Sequence, residues 1–196
     1  TYHALFEVGQ LQTGEALLLH GGASALTLAA IQLAAAAGAK VFVSATSEEK
    51  CAVAAQLGAT TINSQTADVG AWAKKQTGSK GVDMVLDHVG PALWEASLSA
   101  LAPGGRLVSC GNTTGDTATI PSLGFIFGQG IQIRGSDAYH SADFPTVWQH
   151  YCDGISQKQF SHQIGHSFPI DQGARAQELL ESGQALGRIV LSHDSY

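Results

Sequence analysis

Residues 15–50 read EALLLHGGASALTLAAIQLAAAAGAKVFVSATSEEK. ALLLH (16–20) is an apolar run of strand length, and the paired glycines of HGGAS interrupt it. Residues 24–37 then carry an Ala- and Leu-rich helix that Gly38 closes. KVFVSA (40–45) is a second strand, and Ser47 caps a second helix whose first turn holds Glu48 and Glu49 and which runs to Leu57. Between residues 15 and 40 no formal charge occurs, which imitates a membrane span, but the glycine pair and the Ala, Ser, Thr and Gln content fit a buried strand, turn and helix.

The same alternation continues outward. A short strand falls near Thr61 and Ile62, a helix at 68–77, a strand at 82–87 (VDMVLD) and a helix from Pro91 to about Leu101. Pro103-Gly104-Gly105 reads as a turn, RLVSC (106–110) as a strand, GNTTGDT (111–117) as a polar loop, IQIRGS (131–136) as a strand and 143–155 as a helix. Short buried strands alternating with helices predict an α/β fold: a doubly wound, Rossmann-like parallel sheet of about six strands with helices on both faces. The tail differs. SHQIGHSFPI is extended, DQGARAQELLESG is an amphipathic helix and ALGRIVLS is a strand, a strand-helix-strand unit appended to the alternating one. The expected division is the alternating α/β unit over 1–159 and a tail over 160–196.

Composition narrows the functional classes. The chain has 196 residues, 44% of them hydrophobic and 13% charged, with a net charge of -6. That excludes disorder, and without a Lys/Arg cluster it argues against nucleic-acid or polybasic membrane binding. The three cysteines lie far apart with no CxxC, which suits reduced thiols in a cytoplasmic setting. The first residues, TYHALF, show neither a basic nor an apolar signal region.

The turn after the first strand carries the chemistry. Glycines at a strand-to-helix turn let the backbone approach a pyrophosphate at a helix N-terminus. In HGGASALT (20–27), Gly22 fills the first position of GxGxxG, with Ser24 at the second and Thr27 at the third. Ser24 is small and brings a hydroxyl. Thr27, being β-branched, is expected to push the helix away from the strand. Two readings stay open: a modified loop that binds cofactor, or one whose binding is weakened or lost. About twenty residues on, VSATS (43–47) offers no carboxylate for a ribose 2′-hydroxyl. Ser44, Ser47 and Lys50 suit a 2′-phosphate instead, which favours NADPH over NADH.

Five stretches in their order carry a resemblance: ALFEVGQLQTGEALLLHGGAS, AAIQLAAAAGAKVFVSATSEEK, GVDMVLDHVG, LAPGGRLVSCGNTTG and LESGQALGRIVLS. The chain resembles the medium-chain dehydrogenase/reductase superfamily, within it the zinc-independent quinone oxidoreductases. The resemblance implies an enzyme of which this is the cofactor-binding part, lacking an N-terminal catalytic domain to which the tail would return. It implies a pyrophosphate turn formed by Gly22, Ala23, Ser24, Ala25 and Leu26, and Lys50 at a 2′-phosphate. Ser64 stands where such enzymes commonly have a tyrosine near that phosphate. Val89 and Gly90 would flank the adenosine, and Gly111 and Asn112 would lie near the nicotinamide end. The implied reaction is NADPH-dependent hydride transfer to a small molecule, a quinone or an α,β-unsaturated carbonyl, with no general acid named. The implied assembly is a homodimer through strand 131–136.

Other chemistries find little support. His162 and His166 have i, i+4 spacing, but Gly165 and extended flanks argue against a zinc-chelating helix, so no metal site is expected. No GxSxG or Tyr-x-x-x-Lys occurs. Asp83 and Asp87 read as solvated loop or strand-end residues. A non-catalytic nucleotide-binding or interaction module, and an enoyl-reductase module of a larger synthase, remain as alternative functions.

Overall fold

Alternate residues of the strands enter two different cores. Leu17 and Leu19 pack on one side with Val41, Val43, Met84 and Leu86, while Leu18 packs on the other with Phe42, Val85 and Leu107. This period of two places both faces of the sheet under helices. The computed structural model describes residues 1–137, 139 and 143–193. The last three positions of the expected tail lie outside them.

The sheet is built from β1 (Ala16–His20), β2 (Lys40–Ala45), β3 (Thr60–Asn63), β4 (Val82–Asp87), β5 (Leu101–Ser109) and β6 (Gln132–Gly135). Its order is β3-β2-β1-β4-β5-β6, and every pairing is parallel. The chain runs outward from β1 to β3, returns to β4 beside β1, and runs outward the other way. The expected doubly wound α/β fold is thus present. α1 (Ala25–Ala36) covers the face of Leu17 and Leu19, and α3 (Val69–Gln76) and α4 (Pro91–Ala100) cover the face of Leu18. α2 (Glu48–Gln56) joins β2 to β3. Polar caps define the helix starts: Ser24, Ser47 and Asp68 accept from Thr27, Lys50 and Ala71 backbone N–H groups.

Some boundaries differ from the sequence expectation. The turn expected at Pro103-Gly104-Gly105 lies inside the span of β5, where pairing jumps from Val82–Leu101 to Met84–Arg106. Gly104, at φ +76°, lets the chain bulge there without leaving the sheet. A π-helical turn (His3–Val8) precedes β1, and α5 (Leu123–Gln129), which was not expected, precedes β6. The first is fastened from below: Arg106 grips Glu15 with both arms, at 3.0 and 2.5 Å, and also donates to the Gly9 and Gln10 carbonyls.

α6 (Phe144–Ser156) follows Asp143, which caps it. Then β7 (Ile164–Pro169), α7 (Gly173–Glu181) and β8 (Arg188–Ser192) form the expected strand-helix-strand tail, with β7 and β8 paired in parallel as a separate two-stranded sheet. The tail touches the large sheet at two informative points. Gly187 N donates to the Ala23 carbonyl at 2.8 Å, and Lys50 Nζ donates to the Gly183 carbonyl at 2.5 Å.

Candidate functional site

Three turns meet at the C-terminal lip of the sheet, where strand order reverses between β1 and β4. The first runs from Gly21 to Thr27. Gly21 takes φ +69°, and Gly22 lies so close to β2 and α2 that a Cβ would stand 2.9 Å from Ala45 Cβ and 3.0 Å from the Lys50 carbonyl oxygen. Ala23 is buried. The N–H groups of Ala25 and Leu26, in the first turn of α1, have no intrahelical acceptor and lie at the positive end of the helix dipole. This donor set fits an anionic diphosphate.

Thr27 corrects the expectation that it displaces the helix. It is fully buried, its hydroxyl donates to the His20 carbonyl at 2.5 Å, and the Ser24 hydroxyl donates to it at 2.8 Å. The branched side chain is accommodated because its oxygen ties α1 to the end of β1 instead of merely occupying space. Ser24 is consequently committed within the turn.

The second turn follows β2. The Ser44 side chain is buried beneath the lip, and Ser47 Oγ accepts from Lys50 N. Lys50 Nζ reaches outward to Thr46 Oγ1 at 3.1 Å and to Gly183. Ser64, after β3, donates to the Ala45 carbonyl at 3.0 Å. Ser47, Lys50 and Ser64 are therefore grouped at one end of the lip.

The third turn follows β4 and is laced to the loop after β5. Thr113 N and Thr114 N donate to the His88 and Val89 carbonyls. A Cβ on Gly90 would meet Asn112 Cα at 3.3 Å, and one on Gly111 would meet the His88 carbonyl at 3.1 Å. Val89, Gly90, Gly111 and Asn112 are thus brought together. Gly111 and Asn112 also line an open crevice of about 820 Å³ with Cys110, Asp116 and Ser136. Burial pushes the Cys110 thiol up to about 11, so it stays protonated and poorly nucleophilic at neutral pH.

Sequence reasoning passed over His20 and misjudged Asp87, expected to be solvated. Both are fully buried. Burial holds His20 down to about 4, against the opposing pull of Asp87 and with the help of His88. Asp87 Oδ1 accepts from Val89 N at 2.7 Å and Gly90 N at 2.9 Å, so it builds the third turn. The signal was present: Leu18, Phe42 and Val85 face the α3/α4 core, and His20, Ser44 and Asp87 each stand two residues further on.

Among the described residues no three His, Cys, Asp or Glu side chains gather to hold a metal. His166 lies in extended β7, where its ring accepts from Leu186 N, and His162 meets the Tyr151 hydroxyl.

Residues 25–152 match the family model described as zinc-binding dehydrogenase. The chain belongs to that family, and so to the medium-chain dehydrogenase/reductase superfamily, of which it covers the cofactor-binding half. Within it the chain is similar to quinone oxidoreductases. It is 31% identical over 197 residues to a quinone oxidoreductase of Pseudomonas aeruginosa, covering 97% of this chain and 60% of the relative. The Escherichia coli quinone oxidoreductase, solved in complex with NADPH, superposes with a TM-score of 0.88 at 28% identity, covering 97% of this chain and 60% of that one. A polyketide synthase subunit of Mycobacterium tuberculosis, named for phenolphthiocerol and phthiocerol, is 27% identical over 200 residues, covering 97% of this chain but 9% of the synthase. The chain therefore spans only part of each of these relatives.

Proposed function

We propose that the chain is the cofactor-binding half of an NADPH-dependent oxidoreductase acting on a quinone or an α,β-unsaturated carbonyl. The observation that carries this reading is the convergence of the three turns at the point where strand order reverses, the place where open parallel sheets take dinucleotides. Gly22, Ala23, Ser24, Ala25 and Leu26 hold the diphosphate through main-chain amides. Lys50, with Ser47 and Ser64 beside it and Ser44 beneath, receives the 2′-phosphate in place of the Gly183 carbonyl. Val89 and Gly90 flank the adenosine, and Gly111 and Asn112 border the nicotinamide end. The reduced nicotinamide supplies the hydride, while this chain binds and orients. The segment over 160–196 acts as the return to a catalytic part, and the free thiols suit a cytoplasmic setting.

A titration of the chain with NADPH and NADH tests this. Tighter binding of NADPH is expected, with Lys50→Ala removing the preference by about tenfold or more, the scale of one charged hydrogen bond. Equal affinities in the unaltered chain would remove the preference, and no binding of either would leave a non-catalytic module. Alone, the chain is expected not to turn over a simple quinone, since half the pocket is missing.

A homodimer through β6 is part of the same reading. Among the described residues β6 ends the sheet, and its Ile133 is exposed together with Leu123 and Phe127 of α5. The synthase relative favours a second reading, an enoyl-reductase module of a multidomain enzyme. The length of the open reading frame separates the two.

A further inference from the structure

His20 sits where all three turns can be reached from below. Its Nδ1 is 2.7 Å from Ser44 Oγ and its Nε2 is 2.9 Å from Ser97 Oγ. Ser97 Oγ is 3.3 Å from Asp87 Oδ2, whose partner oxygen holds Val89 N and Gly90 N. The carbonyl of Ser44 accepts from Gly22 N at 3.2 Å, and the carbonyl of His20 itself accepts from Thr27. A carboxylate only accepts, so Ser97 donates to Asp87 and must accept from His20 Nε2–H. That leaves Nδ1 bare to accept from the Ser44 hydroxyl. The chain of hydrogen bonds runs in one direction, Ser44 to His20 to Ser97 to Asp87, and every member is buried.

We propose that His20 is a positioning residue, a neutral Nε2–H imidazole that fixes the three cofactor turns relative to one another through Ser44 on one side and Ser97 and Asp87 on the other. The cofactor part of this rests on the functional reading above; the coupling of the turns does not. A second proton would give the ring two donors and would strip Nδ1 of its bond from Ser44. The titratable groups facing the ring are Asp87, through Ser97, and His88, which shares the His20 carbonyl with Thr27. A network satisfied at every atom is rigid, and one missing link leaves a buried polar group unpaired.

The test uses the ¹⁵N-labelled chain. Long-range ¹H–¹⁵N correlation at neutral pH is expected to show His20 protonated at Nε2 only; protonation at Nδ1 would overturn the proposal. Amide exchange is then followed at Gly22, Val89 and Gly90 in His20→Gln, which keeps an amide near the Nε2 position, and His20→Asn, which keeps one near Nδ1. His20→Gln is expected to speed exchange at Gly22 about tenfold and to spare Val89 and Gly90, and His20→Asn to do the reverse, the scale being one lost hydrogen bond. A side chain that merely fills space would give the two variants one pattern, and that result would overturn the proposal. Should either variant fail to fold, Ser97→Ala breaks only the link to Asp87; unchanged exchange at Val89 and Gly90 there would count against His20. An NADPH titration on the same samples is expected to show weaker binding in each variant. If the unaltered chain binds no dinucleotide, the functional reading falls, while the exchange pattern still decides whether His20 couples the turns.

Discussion

Strands β1 and β7 are both paired in parallel, yet every residue of β1 is buried and no residue of β7 is. β1 has a neighbour on each edge and helices over both faces. β7 has β8 on one edge and α7 nearby. The same contrast separates α1, whose buried residues include Leu28, Ala30 and Ile31, from α5, which has no buried residue. The inner unit covers its own apolar surface. The outer one presents Phe144, Trp148 and Tyr151 along a partly apolar cavity of about 490 Å³ between α1, α6 and the start of β7. Phe144 and Trp148 are exposed there and Tyr151 is half-buried, so this face is far less closed than the sheet beneath α1.

The contrast can be broken from the inside first. Leu18→Ala is expected to cost about 4 kcal/mol, since the side chain is fully buried between strands and helices that cannot collapse on the space left. Thermal unfolding checks it, and a loss below about 1 kcal/mol would mean that the inner core is loosely packed.

Acid strikes the same unit. With His20 held down to about 4, the unfolded chain binds a proton from about pH 6.5 downward while the folded chain does not. Stability from this group is therefore unchanged above the ordinary histidine value and lost as pH falls, by roughly 3 kcal/mol at pH 4. Denaturant unfolding of the unaltered chain minus that of His20→Gln isolates the effect from the other titrating residues. A flat difference between pH 4 and 7 would place His20 in contact with solvent.

Damage to the outer unit should stay local. A Cβ on Gly165 would lie 1.4 Å from the Leu186 carbonyl oxygen, so Gly165→Ala must separate β7 from the loop before β8, at a cost of about 2 kcal/mol. Hydrogen exchange should rise in β7 and β8 and leave β1 untouched. The smallest effect is expected at Phe127, which is 81% exposed: Phe127→Ser should change stability by less than about 0.5 kcal/mol. The same substitution should weaken any dimer seen by light scattering.

The architecture was legible because its determinants are local and periodic. Runs such as ALLLH and VDMVLD, punctuated by Gly38 and Ser47, leave few alternatives to a parallel sheet with helices between. The lip was legible as a set of turns but not as a network. Thr27 looked like an obstruction because a sequence shows its volume and not the carbonyl that its hydroxyl meets. Asp87 looked solvated because its partners, Val89 N, Gly90 N and Ser97, assemble only after β4 and α4 have packed. Lys50 was read as a phosphate residue from its charge and place alone, and its bond to Gly183 spans 133 residues, beyond any local pattern. α5 was missed because its seven residues LGFIFGQ, two of them glycine, carry no helical signature; Ser122 starts it by accepting from Phe125 N.

The division between inner and outer units is also a division of chromophores. Trp72 meets the edge of Phe42 against the inner sheet, and Trp94 packs on the same side, whereas Trp148 on α6 is 56% exposed beside Phe144 and Tyr151. An aqueous quencher such as iodide therefore extinguishes the emission of Trp148 first. The quenched fraction of the fluorescence is a gauge of whether anything has settled on α6, and the remainder is a separate gauge of whether α3 and α4 still clasp the sheet.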